Sequence, residues 1–455
     1  MSNGHYQPYK DSSISSYDLP TIIITHAWRI LIMMTSVSHK FSNKMKSVSL
    51  LLAAVAYLIY LKYKLRKAPP GSLGWFFLTE LYQYTRNPLR FCQRRCLQYG
   101  KNFTTYTEGP LIKICNVRDR ETFLYSDKQG LTEIAHYQFT QSSFSQAVFL
   151  KPGNEHQRFR KEFLNYFSTS PSKYANQTIQ IIKRRLKEFE NRWVSSAELS
   201  KISFEIALTN MWGVECTAME DDLYHHLLEL VSLVTHPLLM RFVYNNRLRI
   251  VKQKIGEWFH QRVGKQHPFI GKLDKSFEGE AIVDTLVIVL FASFETTYSS
   301  MCNLVYCYSM YGQSTGLDTI EQCRAFVQET ARLYTTITTF KKRATCDIPL
   351  SDGYVVPKGC KIQVQQHVLH RDPDIWPDAE TFLPGRFLEP LTKDQQIAYT
   401  PFGHGEYSCL GRRNAEVMLE LFVQFLSTYQ VSVRDVKHVQ YPIQRMNSEF
   451  YIQPQ

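Results

Sequence analysis

The chain has 455 residues, 44% of them hydrophobic, and a formal net charge of +12 at pH 7. This length and composition indicate a globular protein that buries a large core. The basic residues are dispersed and no recognised nucleic-acid motif accompanies them, which favours a membrane surface or an acidic protein as partner over DNA or RNA. The ten cysteines lack the paired C-x-x-C spacing of zinc sites, and reduced thiols fit them better than a disulfide framework.

The N-terminal region contains one strongly apolar segment. Residues 47–61 carry no charge, and four basic residues follow within six positions. The pattern predicts a transmembrane signal anchor over residues 45–67, with a buried core helix as the alternative. Residues 1–44 are then an N-terminal extension without a chemical role. The basic residues after the apolar segment predict that the rest of the chain faces the cytosol.

The body that follows shows a small β region and then a long helical region. Residues 103–107 and 111–117 are predicted to form a hairpin, and residues 155–345 have mostly helical periodicity. Residues 354–366 predict two strands around a turn. A proline-punctuated coil then begins near residue 371. The order of elements predicts one domain, mainly α with small β-sheets.

The most informative stretch runs from Phe402 to Gly411 and contains Cys409 among three glycines. Glycines allow turn conformations and a close approach of the backbone to a flat ligand. Amides of such a loop, and those that open a following helix, can donate to a thiolate. The alternative is a structural cysteine beside a glycine turn. The fixed offsets of Phe402, Gly405 and Gly411 favour an axial thiolate ligand of haem iron.

Two further motifs precede this loop. A helical E-x-x-R motif holds Glu329 and Arg332, and a P-x-R-F segment holds Arg386. In this order with F-x-x-G-x-x-x-C-x-G, they resemble the cytochrome P-450 family, and the resemblance covers residues 68–455. It implies the cytochrome P-450 fold with an N-terminal membrane anchor. It also implies that the three charged residues form a buried triad, which locks the coil that carries Cys409.

The apolar run 282–301 contains a second part of the resemblance. Glu295 and Thr296 resemble the acid and threonine of the family's distal helix, which implies a proton donor and a hydroxyl beside the iron. By itself, such a threonine is more often bonded back to its own helix. Ser293 stands where the family usually has glycine.

The resemblance also implies basic groups for the haem propionates. His156 and Arg160 match the family's W-x-x-x-R helix, with histidine in place of tryptophan, and Arg343 lies where family members often hold a propionate. Each arginine could instead be a solvated surface residue. Tyr407 stands where the family commonly has arginine or histidine.

By analogy with the family, an apolar pocket with a few polar contacts is expected above the haem. The residues expected to line it are Phe144, Phe291, Phe294, Thr338, Thr339 and Phe340. Such a pocket predicts a lipophilic substrate with a terpenoid, polyketide or sterol-like skeleton.

The resemblance implies a haem-thiolate monooxygenase that uses O2 and electrons from NADPH, delivered by a membrane-bound reductase. It further implies a single-pass protein of the endoplasmic reticulum with a cytosolic catalytic domain, similar to fungal enzymes of specialised metabolism. Two alternatives stay open: a reductase-independent haem-thiolate isomerase or lyase, and a degenerate haem-binding membrane protein. The second alternative arises because only 34 positions separate Glu295 from Glu329, fewer than membrane-bound members usually have.

Overall fold

The computed structural model describes residues 43–72, 77–107, 111–135, 143–151, 153–167, 171–216, 220–235, 241–264, 267–276, 279–312, 317–440 and 443–455. Contacts between backbone positions divide the chain into two units, Met1–Ala68 and Pro69–Gln455. Within the first unit, the apolar segment 47–61 lies in one helix, α1 (Asn43–Lys64). The expected extension over residues 1–44 lies almost entirely outside the described residues.

The second unit is mainly helical, which confirms the predicted fold class. Its helices in the described residues are α2 (Phe77–Arg86), α3 (Pro88–Tyr99), α4 (Val117–Leu124), α5 (Asn154–Phe167), α6 (Pro171–Phe189), α7 (Leu199–Ala207), α8 (Asp221–Thr235), α9 (Arg241–Trp258), α10 (Pro268–Ser276), α11 (Glu280–Tyr311), α12 (Ile320–Leu333), α13 (Gln366–Leu369), α14 (Lys393–Ala398) and α15 (Arg412–Leu426).

The strands of the second unit form three small sheets. They are β1 (Asn102–Thr105), β2 (Leu111–Ile114), β3 (Thr132–Ile134), β4 (Trp193–Ser195), β5 (Thr339–Ala344), β6 (Ile348–Pro349), β7 (Val355–Val356), β8 (Lys361–Gln365), β9 (Tyr429–Val439) and β10 (Arg445–Pro454). The largest sheet has the order β1-β2-β8-β5-β3, the second has the order β4-β10-β9, and β6 pairs with β7.

The predicted hairpin near residue 108 is confirmed, since β1 and β2 pair antiparallel. The prediction of two strands around a turn at residues 354–366 is correct for the strands but wrong for their pairing. β7 pairs with β6, whereas β8 lies between β2 and β5 in the largest sheet. The pattern within residues 354–366 does not predict these pairings, because one partner of β8, the strand β2, is distant along the chain.

The core is organised around α11. Its residues belong to both large apolar clusters, one with α5, α8 and α9 and the other with α6, α12 and α15. Within the described residues, one helix is long and apolar enough to cross a membrane, and it is α11, of which 67% of the most apolar window is buried. That burial is expected of a core helix that is apolar on nearly all sides.

A buried ion pair holds the coil between β8 and α14. Arg332 of α12 donates from Nε and Nη2 to the two oxygens of Glu329, at 2.7 and 2.8 Å. Its remaining N–H groups donate to the backbone carbonyls of His370, Ala379 and Thr381. All five donors of this guanidinium are therefore used, which is the condition under which a fully buried arginine is tolerated.

Arg386 joins the same carboxylate from the coil. Its Nε donates to Glu329 Oε1 at 3.2 Å, and the backbone amide of Leu383 donates to the same oxygen at 2.8 Å. Further donations from Arg386 reach the carbonyls of Pro377 and Asp378. The three charged residues thus lie in one cluster that fixes the coil ahead of the cysteine loop.

The connection between α11 and α12 is short and closed at both ends. The ring of Tyr311, the last residue of α11, stacks on Phe382 with centroids 4.7 Å apart. At the other end, Thr319 and Gln322 form a reciprocal capping box that starts α12. α11 therefore ends on an aromatic stack and α12 begins at a capping box, although the link between them is short.

We expect Glu329→Gln to lower the free energy of unfolding by about 3–5 kcal/mol, because Arg332 would keep a buried charge without its counter-charge. The measurement is the midpoint of thermal unfolding of the detergent-solubilised chain. Glu321→Gln, at an exposed position in the first turn of the same helix, is the matched control. Equal midpoints for the two variants would contradict the role given to the ion pair.

Candidate active site

The loop that carries Cys409 is shaped by its glycines and by short backbone hydrogen bonds. Gly403 and Gly405 have φ values of 72° and 74°, a region that favours glycine. A side chain at Gly405 would also approach the carbonyl oxygen of Leu124 to 3.0 Å. The amide of Cys409 donates to the carbonyl of Phe402 at 2.8 Å, which closes the loop.

Gly411 serves a different purpose in the same loop. Its φ of −89° suits any residue, and it precedes the first turn of α15. A methyl group there would lie 4.0 Å from the sulfur of Cys409. The absence of a side chain at Gly411 therefore leaves space beside the sulfur. It is not required by the backbone conformation.

The Cys409 side chain is accessible to solvent although protein surrounds it on most sides. Burial raises the pKa of the Cys409 thiol, whereas the Gly411 amide, which donates to it, and the charges of Arg160 and Arg412 lower it. These groups favour the thiolate as a ligand for a cation placed at the open side of the sulfur.

The helix α5 supports this loop from the side. Arg160 donates from Nη1 to the carbonyl of Ser408 at 2.8 Å and from Nη2 to its hydroxyl at 2.9 Å. The buried ring of His156 lies 4.5 Å from the ring of Tyr407, centroid to centroid. The structure therefore brings His156 and Arg160 to the cysteine loop, next to Tyr407, which stands where the family commonly has arginine or histidine.

One face of α11 is open in the middle of the core. Ala292 is exposed, and Ser293, Thr296 and Ser300 are half-buried, although most neighbouring positions are buried. The spacing of four between 292, 296 and 300 places these residues along one stripe of the helix. Thr296 donates its hydroxyl to the carbonyl of Ala292 at 2.7 Å, the backbone bond common for a mid-helix threonine.

Glu295 lies on another side of the helix and is buried. Its Oε1 accepts from Nη1 of Arg445, on β10, at 2.6 Å. Burial raises the pKa of Glu295 to about 7, although the adjacent Arg445 and the Ser299 hydroxyl lower it. A carboxyl with such a pKa exchanges protons near neutral pH, which is what a proton donor to a reaction needs.

Three of the aromatic residues expected in the pocket, Phe144, Phe291 and Phe294, belong to one buried apolar cluster. The rings of Phe144 and Phe291 contact each other, with centroids 6.1 Å apart. Phe294 is three positions along α11 from Phe291, and its ring lies near those of Phe204 and Tyr298. All three phenylalanines are buried, so their place at a substrate pocket stays a prediction.

The remaining residues expected in the pocket lie at the start of β5 or directly before it. Thr339 accepts a hydrogen bond from Gln363 at 2.9 Å and is buried in the sheet, so its hydroxyl is not offered to a pocket. Thr338 is also buried, and its backbone carbonyl contacts the ring nitrogen Nδ1 of His367 at 2.9 Å. Phe340 is half-buried and lies beneath the guanidinium of Arg120, 4.2 Å from ring centroid to carbon.

Arg343 is placed on the surface rather than at the site. Its side chain is 47% exposed, and its Nε lies 3.5 Å from an oxygen of Glu133, which is equally exposed. This exposed position gives no support to the expected contact with a propionate. Lys342, the preceding residue, is buried on the other face of β5 and contacts Asp127 and Ser126. A shift of one residue along a strand exchanges the two faces.

The buried cation that the sequence analysis missed is Arg120, on α4. It is fully buried and donates from Nη2 to the hydroxyl of Thr400 at 2.8 Å. Its Nε and Nη1 have no hydrogen-bond partner among the described residues. Burial lowers the pKa of Arg120 to about 9, against the charge of Asp127. The sequence does contain a signal for its burial, since Arg120 has helical spacing with Phe123 and Leu124 on the core face of α4.

The charges around Arg120 make this part of the site positive. The pKa of His404 in the cysteine loop is lowered, first by burial and then by the charges of Arg120 and Lys342. An open cavity of about 690 Å³ lies beside these groups, with Arg160, His404 and Gly405 in its wall. Both the cavity and the surrounding charges suit an anionic group.

The residues present fit a haem. The Cys409 sulfur offers a thiolate on its open side, and the unpartnered N–H groups of Arg120 call for a carboxylate such as a propionate. The half-buried stripe at Ala292 and Thr296 leaves room on α11.

A comparison with protein families matches residues 313–454 to the cytochrome P450 family. The 3beta,22alpha-dihydroxysteroid 3-dehydrogenase of Arabidopsis thaliana is 25% identical over 83% of this chain and 91% of its own length. Abscisic acid 8'-hydroxylase 1 of the same plant is 23% identical, over 79% of this chain and 84% of its own length.

Among solved structures, retinoic acid-bound cyanobacterial CYP120A1 superposes with a TM-score of 0.73 at 22% identity, over 85% of this chain and 99% of its own. This likeness shows that the fold is that of a cytochrome P450. The family match over residues 313–454 and the similarity to the plant proteins, one of them named as a hydroxylase, agree with this fold, and the family's cofactor is a haem with a thiolate ligand. The comparisons therefore support assignment of the chain to the cytochrome P450 superfamily as a haem-thiolate monooxygenase.

Proposed function

We propose that Cys409 ligates the haem iron and that Arg120 and Arg160 hold the haem on either side of the cysteine loop. The observation that carries this proposal is the pairing of an accessible thiol with a fully buried guanidinium that keeps two unpartnered N–H groups. When bound, the haem supplies the iron chemistry that transfers one oxygen atom of O2 to a substrate. The Gly411 amide, which donates to the sulfur, favours its ionised form.

Thr296 and Glu295 both take part in proton delivery, and they lie on two different sides of α11. The Thr296 hydroxyl lies on the half-buried stripe, where it can donate once it leaves the Ala292 carbonyl. Glu295 holds a proton near neutral pH, and its ion pair with the half-buried Arg445 connects it to the C-terminal strand β10. The acid thus exchanges protons on the side of α11 that faces β10.

We infer that the substrate is a lipophilic small molecule with a terpenoid or sterol-like skeleton. The pocket expected by analogy has apolar side chains at Phe144, Phe291 and Phe340, and the rings of the first two contact each other, which suits a hydrocarbon framework. The similar proteins are named for a steroid and for abscisic acid, and the similar structure for retinoic acid, which are all compounds of this kind. A polyketide of similar size and polarity would fit the same wall.

The electrons come from a reductase, and we propose that it is a membrane-bound NADPH-dependent enzyme that docks near Arg412 and Arg413. We also propose that residues 45–67 anchor the chain in the endoplasmic reticulum and that residues 68–455 form the cytosolic catalytic domain. Support for the anchor comes from the 22 residues of α1, which span about 33 Å, close to the ~30 Å of a bilayer core.

We expect Cys409→Ala to abolish the red-shifted Soret band of the reduced carbon monoxide complex, because the iron loses its thiolate. The measurement is a difference spectrum of membranes from cells that express the chain. Cys346→Ala, which changes a half-buried cysteine elsewhere, is the matched control and should keep the band. A red-shifted band that survives in Cys409→Ala would refute the ligand assignment.

We expect Arg120→Gln to speed haem loss by about 10- to 100-fold, the factor that corresponds to one or two charge-assisted hydrogen bonds. The measurement is the rate of haem transfer to excess apomyoglobin, which needs no substrate. Arg343→Gln removes a surface arginine and should leave the rate unchanged. Equal rates for both variants would show that Arg120 does not hold the haem.

We expect product formed per NADPH consumed to fall as the pH rises through about 7, because the raised pKa leaves Glu295 protonated only below that value. Glu295→Gln should give a lower yield without this pH dependence. Glu449→Gln, which alters an exposed carboxylate on the same strand as Arg445, should keep the wild-type profile. An unchanged profile in Glu295→Gln would exclude Glu295 from proton delivery.

A further inference from the structure

A buried polar cluster lies at the amino-terminal end of α11, outside the residues assigned above. Lys252 of α9 places its Nζ 2.6 Å from Oδ1 of Asp284, the fifth residue of α11. The same Nζ donates to the backbone carbonyl of Ser143 at 2.9 Å. The ion pair therefore joins two helices and the segment 143–148, which is called the wall segment below.

The wall segment is held to α11 at two further points. The amide of Gln146 donates to the second oxygen of Asp284 at 3.1 Å. The amide of Val148 donates to the hydroxyl of Thr285 at 3.0 Å. Two hydrogen bonds thus fix the wall segment onto α11, and the one from Lys252 to Ser143 fixes it to α9.

The cluster is too deeply buried to be an ordinary surface ion pair. The side chain of Asp284 is 0% exposed and that of Lys252 is 12% exposed. A surface pair in the same protein, Lys272 with Glu162, has side chains that are 57% and 32% exposed. Because desolvation offsets much of the attraction in a buried pair, its advantage lies in fixing one geometry.

The geometry that it fixes concerns the substrate pocket. The wall segment carries Phe144, whose ring contacts Phe291 two turns along α11 from Asp284. The Nζ of Lys252 also lies 5.9 Å from the centroid of the Phe144 ring. Release of the ion pair would free the wall segment and with it one aromatic side of the pocket.

We propose that the Lys252–Asp284 ion pair is a positioning device that holds the wall segment against α11 and so limits the entry and exit of bulky ligands. The inference rests on the pocket of the proposed function and deepens it, since it names the residues that set access. Neither residue touches the cysteine loop, so the ion pair acts on the ligand route and not on the iron.

The first test is hydrogen exchange of the wall segment, followed by mass spectrometry on the full chain, with or without haem. In Lys252→Met the amides of Gln146 and Val148 should exchange at least about tenfold faster, because Asp284 becomes a buried charge without its partner. The control is Lys272→Met, at the exposed pair, which should exchange like the wild type. Equal exchange in the two variants would overturn the proposal.

The second test measures ligand access by stopped-flow absorbance. Clotrimazole, a bulky azole, should bind and dissociate at least about tenfold faster in Lys252→Met and in Asp284→Asn, whereas imidazole rates should stay unchanged. Unchanged clotrimazole rates in both variants would refute the limit on access. If either variant loses its haem, the double variant Lys252→Met/Asp284→Leu, which buries no charge, gives the same comparison.

The two tests separate failure of this proposal from failure of the proposed function. A wild-type chain without a red-shifted carbon monoxide band would refute the Cys409 assignment, while hydrogen exchange would still measure the wall segment. A normal band together with unchanged exchange in Lys252→Met would refute the positioning role alone.

Discussion

The ion-pair cluster around the carboxylate of Glu329 is the interaction on which the site depends most directly. It receives Arg332 from its own helix and Arg386 and the Leu383 amide from the coil. The coil has no regular backbone pairing over much of its length, so side-chain and carbonyl contacts must supply what a helix or sheet would otherwise provide. Because the coil leads directly to the loop of Cys409, an error in this cluster would move the sulfur.

Two buried arginines show how one chemical group serves two purposes. Arg332 and Arg120 are both inaccessible to solvent, but Arg332 uses all five donors within the protein and Arg120 leaves Nε and Nη1 unpartnered. A guanidinium whose N–H donors are all partnered stabilises the fold and cannot bind a further group. A buried guanidinium with unpartnered donors has a desolvation cost that is offset only when an anion binds, so it is tolerated as part of a binding site.

Much of the fold and the centre of the site could be predicted because their signals are local. The glycine offsets around Cys409 and the E-x-x-R spacing are set within a few residues. Predictions that depend on which face of a strand a residue occupies are harder: Arg343 is exposed, whereas Lys342, one position before it, is buried. Arg120 was missed because its partner Thr400 is 280 positions away, a contact that periodicity does not reveal.

The brief link between α11 and α12 bears on how this protein can vary. The stack of Tyr311 on Phe382 and the capping box at Thr319 secure the two helices separately, so neither relies on the intervening chain. Length at this point is then free to change by gain or loss of whole segments without disturbing the sulfur or its coil. Such a site is suited to insertion of a reporter or a second domain.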